Sequence, residues 1–380
     1  MSATAAPPGR ALAVVLLAAG LLAGCSTPEQ PVDLPEDAPT GVATTATPAE
    51  APSARPGAGP QVVATVASGL EVPWGVAFLP DGSALVTERD SGRVLSVRDG
   101  AVSQVGTVAE AAPVGEAGLL GIAASPTFAT DREVFLYVST TQDNRIVRTT
   151  YDGSRLGDLE VILAGIPNGF RHDGGRLVFG PDGFLYASTG ETGEADLAQD
   201  LDSLGGKILR ITTDGEPAPG NPFEDSPVWT WGHRNVQGLA FDDRGRLWAS
   251  EFGDSEWDEL NLIVKGANYG WPMVEGAGGN GRFAEPEVVW RTSEASPSGL
   301  AFVDGRLWLA SLRGERLWRI DVAGKRATRP TDFFVGRYGR LRTVAVTPDG
   351  NLWVTTSNRD GRGDPAGTDD RILEVAPARS

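Results

Sequence analysis

The sequence predicts an all-β chain folded as a six-bladed β-propeller, and two observations lead to this fold class. A short phrase recurs, made of an apolar strand, a Pro-Asp-Gly or Asp-Gly turn, and a second strand rich in Trp, Leu and Val. The copies occupy 75–82, 176–183, 238–245, 299–305 and 343–350, and a sixth, degraded copy begins at Gly121. Several copies are followed by a further strand, which gives a period of roughly 45 to 60 residues and suits blades of about four strands.

Each copy is predicted to be a two-stranded ribbon. Asp-Gly supplies the positive φ that a tight hairpin needs, and the flanking residues alternate as half-buried strands do. The further strands are expected at 92–97, 206–211, 316–320 and 371–375. The ring is expected to close by pairing an early strand, 61–66, with the last blade, because closure removes exposed sheet edges. The competing fold is a large β-sandwich, but regular repetition with Gly-rich turns favours radial stacking.

The first 25 residues are predicted to be a lipoprotein signal peptide. Arg10 precedes an apolar run from Ala11 to Ala23, which is too short to span a bilayer. The run ends in Leu22-Ala-Gly-Cys25, which looks like a bacterial lipobox, so Cys25 is the predicted lipidation site. The alternative is a plain secretory signal. We therefore expect a secreted protein, lipid-anchored at the outer face of the cell membrane, with no other membrane contact.

The mature chain is expected to contain one folded domain. Residues 26–60 are rich in Pro, Ala and Thr with almost no large apolar side chain, so they are predicted to be a disordered linker to a propeller domain over 61–380. Cys25 is the only cysteine, which excludes a disulfide from that domain. The net charge of -17 argues against nucleic acid as a partner. The oligomeric state stays open.

Three groups of residues are candidates for chemistry. His172, in a polar loop of Gly-rich sequence, is a candidate general base, or a structural hydrogen-bonding residue. Arginines on three predicted blades are suited to clamping carboxylates or phosphates, although salt bridges and solvated surface charge are the alternative. These are Arg234, Arg313, Arg340 and Arg342. The acidic stretch Glu251–Glu259 is suited to Ca²⁺, or is a solvated acidic loop.

Several motifs closely resemble the soluble quinoprotein glucose/sorbosone dehydrogenase family, from about Val66 to Val375. The motifs are 118–121, 172–177, 232–241, 258–263, 266–272 and 340–342. Members of that family are six-bladed propellers that oxidise the anomeric carbon of aldoses with pyrroloquinoline quinone (PQQ) and Ca²⁺. The resemblance therefore implies the same fold, cofactor, metal and reaction here.

The resemblance also implies catalytic roles. His172 matches the general base that takes the proton of the anomeric hydroxyl as hydride passes to the quinone. Glu191 falls where the family has an Asp that orients this His, and either carboxylate can fix the imidazole tautomer. Arg234 matches the residue placed against the quinone oxygen, where negative charge develops. Asn235 lies beside it.

The implied ligands of cofactor and metal come from several loops. Arg340 and Arg342 match the pair that grips PQQ, which agrees with the three carboxylates of that cofactor. The carbonyls of Gly253 and Asp254 align with the pair that ligates the cofactor's Ca²⁺, a Lewis acid. A second, structural Ca²⁺ site is implied at Asp258, Glu259 and Tyr269.

The chain departs from the family pattern at five positions. On the cofactor side, Arg313 stands where a Lys is usual, and Phe252 replaces a Gln in contact with PQQ. Asp254 replaces a Pro. On the sugar side, Arg171 stands in place of an Asp and Glu116 in place of a Gln. The sugar-side changes place the chain closer to the broad aldose sugar dehydrogenase branch than to true glucose dehydrogenase.

The expected function is PQQ- and Ca²⁺-dependent oxidation of aldose sugars to lactones, with electrons passed to an external acceptor such as a quinone, a cytochrome or a dye. Two alternatives stay open. One is a Ca²⁺-dependent lactonase-type hydrolase, which needs side-chain carboxylates that converge on one ion. The other is a non-catalytic cell-surface propeller that binds glycans or protein. Such a scaffold has no need of His172, Glu191, Arg234, Arg340 and Arg342 together.

Overall fold

The computed structural model describes residues 59–377. The predicted signal peptide, Cys25 and nearly all of the predicted linker lie outside these residues, so those assignments stay predictions. The described part forms six four-stranded antiparallel sheets. The six-bladed propeller is therefore confirmed. No helix among these residues is long and apolar enough to cross a membrane.

The strands follow one another blade by blade. Blade 1 contains β2 (Pro73–Phe78), β3 (Ala84–Glu88), β4 (Arg93–Arg98) and β5 (Ala101–Thr107). Blade 2 contains β6 (Leu119–Ala124), β7 (Glu133–Ser139), β8 (Asn144–Thr150) and β9 (Glu160–Ile166). Blade 3 contains β10 (Leu177–Phe179), β11 (Leu185–Ser188), β12 (Lys207–Ile211) and β13 (Val228–Trp231).

The second half repeats the pattern. Blade 4 contains β14 (Val236–Phe241), β15 (Leu247–Glu251), β16 (Trp257–Leu262) and β17 (Val288–Arg291). Blade 5 contains β18 (Pro297–Val303), β19 (Arg306–Ser311), β20 (Arg316–Ala323) and β21 (Arg326–Phe333). Blade 6 contains β22 (Leu341–Val346), β23 (Leu352–Thr356), β24 (Ile372–Ala376) and, as its outermost strand, β1 (Gln61–Ala67).

The ring closes between the two ends of the propeller domain. Strand β1 pairs antiparallel with β24, with Gln61 opposite Ala376. This confirms the predicted closure, which leaves the last blade built from both ends of the described chain. The innermost strands of neighbouring blades are in contact around the ring, including β22 with β2.

The hairpin turns explain both the regular and the degraded repeats. Gly82 and Gly183 have φ values of 82° and 81°, the left-handed conformation that Gly adopts without strain. Blade 2 lacks the Asp-Gly turn. There a one-turn helix, α1 (Phe128–Asp131), links β6 to β7 and ends at Arg132 with a φ of 61°. The degraded sixth copy is thus a blade whose first turn is helical.

Buried apolar side chains fill the spaces between blades. Leu85 of blade 1 and Leu136 of blade 2 belong to one cluster, and Trp248 of blade 4 and Leu309 of blade 5 to another. Burying a large apolar side chain contributes roughly 1.5–3 kcal/mol, so these layers hold each blade against the next. The blades therefore form a rigid support for the loops at their ends.

Candidate active site

The predicted catalytic, cofactor and metal residues, which all lie within residues 59–377, are at one end of the propeller. In each antiparallel blade, the loop that enters the innermost strand and the loop that leaves the second strand meet at the same end. His172 and Arg234 precede innermost strands, while Glu191 and Phe252 follow second strands. The topology thus gathers residues that are far apart in sequence.

His172 and Glu191 form a buried pair on blade 3. The imidazole Nδ1 lies 2.5 Å from Glu191 Oε1, and His172 is 6% exposed. The other ring nitrogen, Nε2, has no hydrogen-bond partner within residues 59–377. Gly190 allows this approach, because a Cβ there would lie 1.9 Å from the His172 carbonyl oxygen. The pair therefore has one fixed nitrogen and one free to exchange a proton.

Glu116 connects this pair to the rest of the site. Its Oε2 accepts hydrogen bonds from His172 N at 3.0 Å and from Asn235 Nδ2 at 3.5 Å, and its Oε1 accepts from Arg362. Burial raises the pKa of Glu116, but the hydrogen bonds from Arg362 and His172 outweigh it and lower that pKa below its usual value. A charged carboxylate thus spans the loops of blades 2, 3, 4 and 6.

Beside Glu116 is a cavity of about 360 Å³ rich in cationic side chains. Glu116, Arg234, Phe252, Gly253, Asp254, Asp258, Thr292, Ser296, Leu312, Arg313, Arg340 and Arg362 line it. Six of the predicted cofactor and metal residues besides Asp258 meet here, from blades 4, 5 and 6. These are Arg234, Phe252, Gly253, Asp254, Arg313 and Arg340.

Two of the four arginines that line this cavity are buried. Arg234 and Arg340 are buried, and Arg313 is exposed. Arg234 donates to Asp254 at 2.9 Å, while its buried Nε has no hydrogen-bond partner. The alternative of solvated surface charge is therefore wrong for Arg234 and Arg340, although ion pairs are present. An unpaired buried donor among cations fits a ligand that carries carboxylates.

Arg342 lies behind the cavity rather than in its wall. It is buried and donates to Ser357 and, at 3.3 Å, to Asp360. Arg340 donates to the same Asp360 at 2.9 Å. Burial raises the pKa of Asp360, but the charges of Arg342 and Arg340 outweigh this effect, so the pKa of Asp360 is below its usual value. Arg342 and Asp360 thus fix Arg340 in position.

The wall on blade 4 offers oxygen ligands. The carbonyl oxygens of Gly253 and Asp254 accept no hydrogen bond from any residue that the structure describes. The Asp254 and Asp258 carboxylates line the same cavity. Carbonyl and carboxylate oxygens are the ligands that a hard cation such as Ca²⁺ prefers, so this donor set fits such an ion.

The residues of the predicted second metal site do not meet at one point. Asp258 lines the large cavity, and its carboxylate accepts from Gly253 N and Ser296 N. Glu259 and Tyr269 line a separate cavity of about 10 Å³. Neighbouring residues of a strand point to opposite faces, which explains the separation. In the described part, no three His, Cys, Asp or Glu side chains are grouped so that they could hold a metal.

A second buried His–carboxylate pair lies on blade 4. His233 Nδ1 is 2.8 Å from Glu251 Oε2, and Nε2 is 2.9 Å from Thr230 Oγ1. Glu251 also accepts from Arg234 N at 2.5 Å. Since Glu251 is buried at 4% exposure, the solvated-loop interpretation is wrong for it. Sequence reasoning did not assign this pair, because its only signal was a second His in a Gly-bearing loop.

The chain matches a known family over residues 70–364, the family described as Glucose / Sorbosone dehydrogenase. The aldose sugar dehydrogenase of Escherichia coli is 30% identical over 353 residues, which cover 83% of this chain and 92% of that protein. The PQQ-bound aldose sugar dehydrogenase from Streptomyces coelicolor is 54% identical in sequence, with a TM-score of 0.82 over 86% of this chain and 99% of that one. A putative oxidoreductase (glucose dehydrogenase) from Thermus thermophilus is 46% identical, with a TM-score of 0.79 over 84% and 100%.

Proposed function

This chain belongs to the glucose and sorbosone dehydrogenase family, and from that membership we propose a PQQ- and Ca²⁺-dependent dehydrogenase that oxidises aldoses at the anomeric carbon to lactones. The observation that carries the proposal is the buried His172–Glu191 pair, with a free Nε2, next to a cavity lined by arginines. The pair supplies a base, and the arginines suit a polycarboxylate cofactor.

His172 is the proposed base. Oxidation of an aldose to a lactone removes a hydride from the anomeric carbon and a proton from its hydroxyl group. His172 accepts that proton at Nε2, while Glu191 holds the proton on Nδ1 and stabilises the imidazolium that forms. Both members of the pair are buried, so the ring is held in one orientation and water competes little for it.

Arg234, Arg313 and Arg340 are the proposed cofactor contacts, with Phe252 as an apolar wall. When bound, PQQ supplies a quinone that accepts the hydride. Arg234 carries the unpaired Nε and stacks over Trp271 at 5.3 Å, so its guanidinium is held in place. Arg342 and Asn235 position other residues. Arg342 supports Arg340 through Asp360, and Asn235 holds the His172 loop by accepting a hydrogen bond from Gly174 N.

Gly253 and Asp254 are the proposed carbonyl ligands of Ca²⁺. The nearby Asp254 carboxylate adds negative charge. Its side chain is exposed, so it can give up its ion pair with Arg234 and turn to the ion. We propose no role in binding this ion for Glu259 or Tyr269, which line another cavity.

The proposed substrates are aldoses in general, and the electron acceptor is external. Glu116 is held by Arg362 and His172 N, so it presents a fixed carboxylate to the sugar side of the site. Arg171, which precedes His172 in the chain, is exposed. We also propose secretion with a lipid on Cys25, which the Leu22–Cys25 sequence supports. Mass spectrometry of the protein from a lipoprotein-processing host would detect the acylated Cys25, and an unmodified cysteine would contradict that proposal.

The test of the function is aldose-dependent dye reduction by purified protein given PQQ and Ca²⁺, over a panel of mono- and disaccharides. We expect turnover that disappears without PQQ or with EDTA and returns with added Ca²⁺. Hydrolysis of a lactone without quinone would instead support the lactonase alternative. No bound quinone and no reaction with any substrate would support the binding-propeller alternative.

A further inference from the structure

The loop that carries Gly253 and Asp254 is folded around a single carboxylate oxygen. Glu275 Oε1 accepts four successive backbone hydrogen bonds. The donors are Asp254 N at 2.8 Å, Ser255 N at 3.0 Å, Glu256 N at 2.8 Å and Trp257 N at 2.9 Å. Such a nest of N–H groups is a strong site for negative charge.

The direction of these N–H groups sets the direction of the carbonyls. In a trans peptide the C=O of one residue is antiparallel to the N–H of the next. The only cis peptides among residues 59–377 are 271–272 and 369–370, so the loop is trans throughout. Because the N–H groups of Asp254 and Ser255 point at Glu275, the carbonyls of Gly253 and Asp254 point away from it. These are the two proposed ion ligands, and both residues line the cavity.

We propose that Glu275 is the positioning residue of the cation site: its carboxylate collects the N–H groups of the 254–257 loop and thereby directs the carbonyls of Gly253 and Asp254 at the ion. This inference rests on the proposed function, because that function supplies the ion. Glu275 itself does not contact the ion. It acts through the orientation of two peptide groups.

Two further observations support this role. A Cβ at Gly253 would lie 2.7 Å from Glu275 Oε1 and 1.9 Å from the Trp257 carbonyl oxygen, so the loop closes tightly on the carboxylate. The remaining N–H of the loop, that of Gly253, is taken by Asp258 Oδ1 at 2.9 Å. Five consecutive N–H groups therefore end on two carboxylates, and no N–H of the loop competes for the carbonyls.

The experiment measures Ca²⁺ binding directly. The full chain, freed of metal with EDTA, is titrated with Ca²⁺ by calorimetry, with and without PQQ, for the wild type, Glu275→Gln and Glu285→Gln. Glu285 is the matched control, because it accepts one backbone hydrogen bond, from Gly278 N at 2.9 Å, on the same connection between β16 and β17. We expect Ca²⁺ affinity to fall about 10- to 100-fold in Glu275→Gln and to change less than about threefold in Glu285→Gln.

Glu275→Asp, which keeps the charge but shortens its reach, should recover part of the loss. Equal Ca²⁺ affinity in wild type and Glu275→Gln would overturn the inference even if the variant melts at a lower temperature, since a merely structural role predicts that pattern. If Glu275→Gln does not fold, Glu275→Asp must bind Ca²⁺ at least about threefold more weakly, and equal binding overturns the inference. A wild-type protein that binds no Ca²⁺ and oxidises no aldose would overturn the proposed function as well.

Discussion

Blades 3 and 4 each carry a buried His–carboxylate pair, and the two pairs differ in the partner of the second ring nitrogen. In both, the His precedes the innermost strand. Glu251 is the last residue of the second strand of blade 4, whereas Glu191 follows the second strand of blade 3. In the His233–Glu251 pair, Nε2 is bonded to Thr230 and the ring stacks on Tyr269 at 4.5 Å. In the His172–Glu191 pair, Nε2 has no partner among the residues of the structure.

This difference separates a structural histidine from a candidate base. His233 is 0% exposed and has both nitrogens satisfied, so it holds Glu251, which in turn accepts from Arg234 N. His172 has one nitrogen fixed and one available. Both blades therefore carry such a pair, and the partner of the second nitrogen decides what each ring can do.

Replacing His172 is expected to have the largest effect, a loss of turnover. His172→Ala should lower kcat by about 10²–10⁴-fold, because it removes the base, while PQQ and Ca²⁺ binding stay nearly intact. Steady-state dye reduction gives the rate, and quinone absorbance gives the cofactor content. Unchanged turnover would end the general-base assignment.

Glu191→Gln should reduce kcat by roughly 10²-fold with little change in KM, because the amide keeps the size of the side chain but loses the charge that stabilises the imidazolium. Steady-state kinetics on one aldose checks both constants. A rise in KM at constant kcat would show that Glu191 serves substrate binding instead.

His233→Gln should act on stability first. Removing the ring leaves Glu251 and Thr230 with poorer partners in a buried site, which costs on the order of 1–3 kcal/mol of unfolding free energy. The kcat of the cofactor-loaded protein should fall less than about tenfold, because His233 affects the reaction only indirectly, through Glu251 and the position of Arg234. Urea unfolding and kcat are measured together. A loss of turnover as large as in His172→Ala, without a loss of stability, would remove the distinction between the two pairs.

The smallest effect concerns Asp173, beside His172. Burial raises the pKa of Asp173 from 3.8 to about 7, and its buried Oδ2 has no hydrogen-bond partner. Between these two values the folded state binds more protons than the unfolded state, so the unfolding free energy falls as pH rises. This contribution is fully present below about pH 4 and is lost as the pH rises through about 7.

Asp173→Asn cannot ionise and should remove that slope. The stability of the wild type relative to the variant should decline by about 1 kcal/mol per pH unit between pH 5 and 7. Urea midpoints at three pH values in this range measure the decline. Parallel curves for the two proteins would mean that Asp173 does not carry a raised pKa.

The fold was predictable because its signals are local and repeated. An Asp-Gly turn and the alternation around it are read within about ten residues, so five blades and the closure by β1 could be placed from the sequence. Blade 2 was recognisable only by Gly121-Ile-Ala-Ala, because α1 replaces its turn.

The site could be predicted only for residues whose side-chain type indicates a chemical role. His172 and the arginines are unusual residues in their loops, and a resemblance gave them roles. Asp360 gave no signal, because its pairing with Arg340 and Arg342 forms only when β22 and β23 fold together. Likewise, Glu275 accepts from Asp254 N across a separation of 21 residues, so no local pattern reveals the contact.

The most direct test of the difference between the two pairs is a single-turnover measurement. Protein loaded with PQQ and Ca²⁺ is mixed with an aldose without any acceptor, and reduction of the bound quinone is followed by absorbance for the wild type, His172→Ala and His233→Gln. We expect reduction to be at least about 10²-fold slower in His172→Ala and to stay within about tenfold of wild type in His233→Gln. Equal rates in His172→Ala and wild type, or equal losses in both variants, would contradict this expectation.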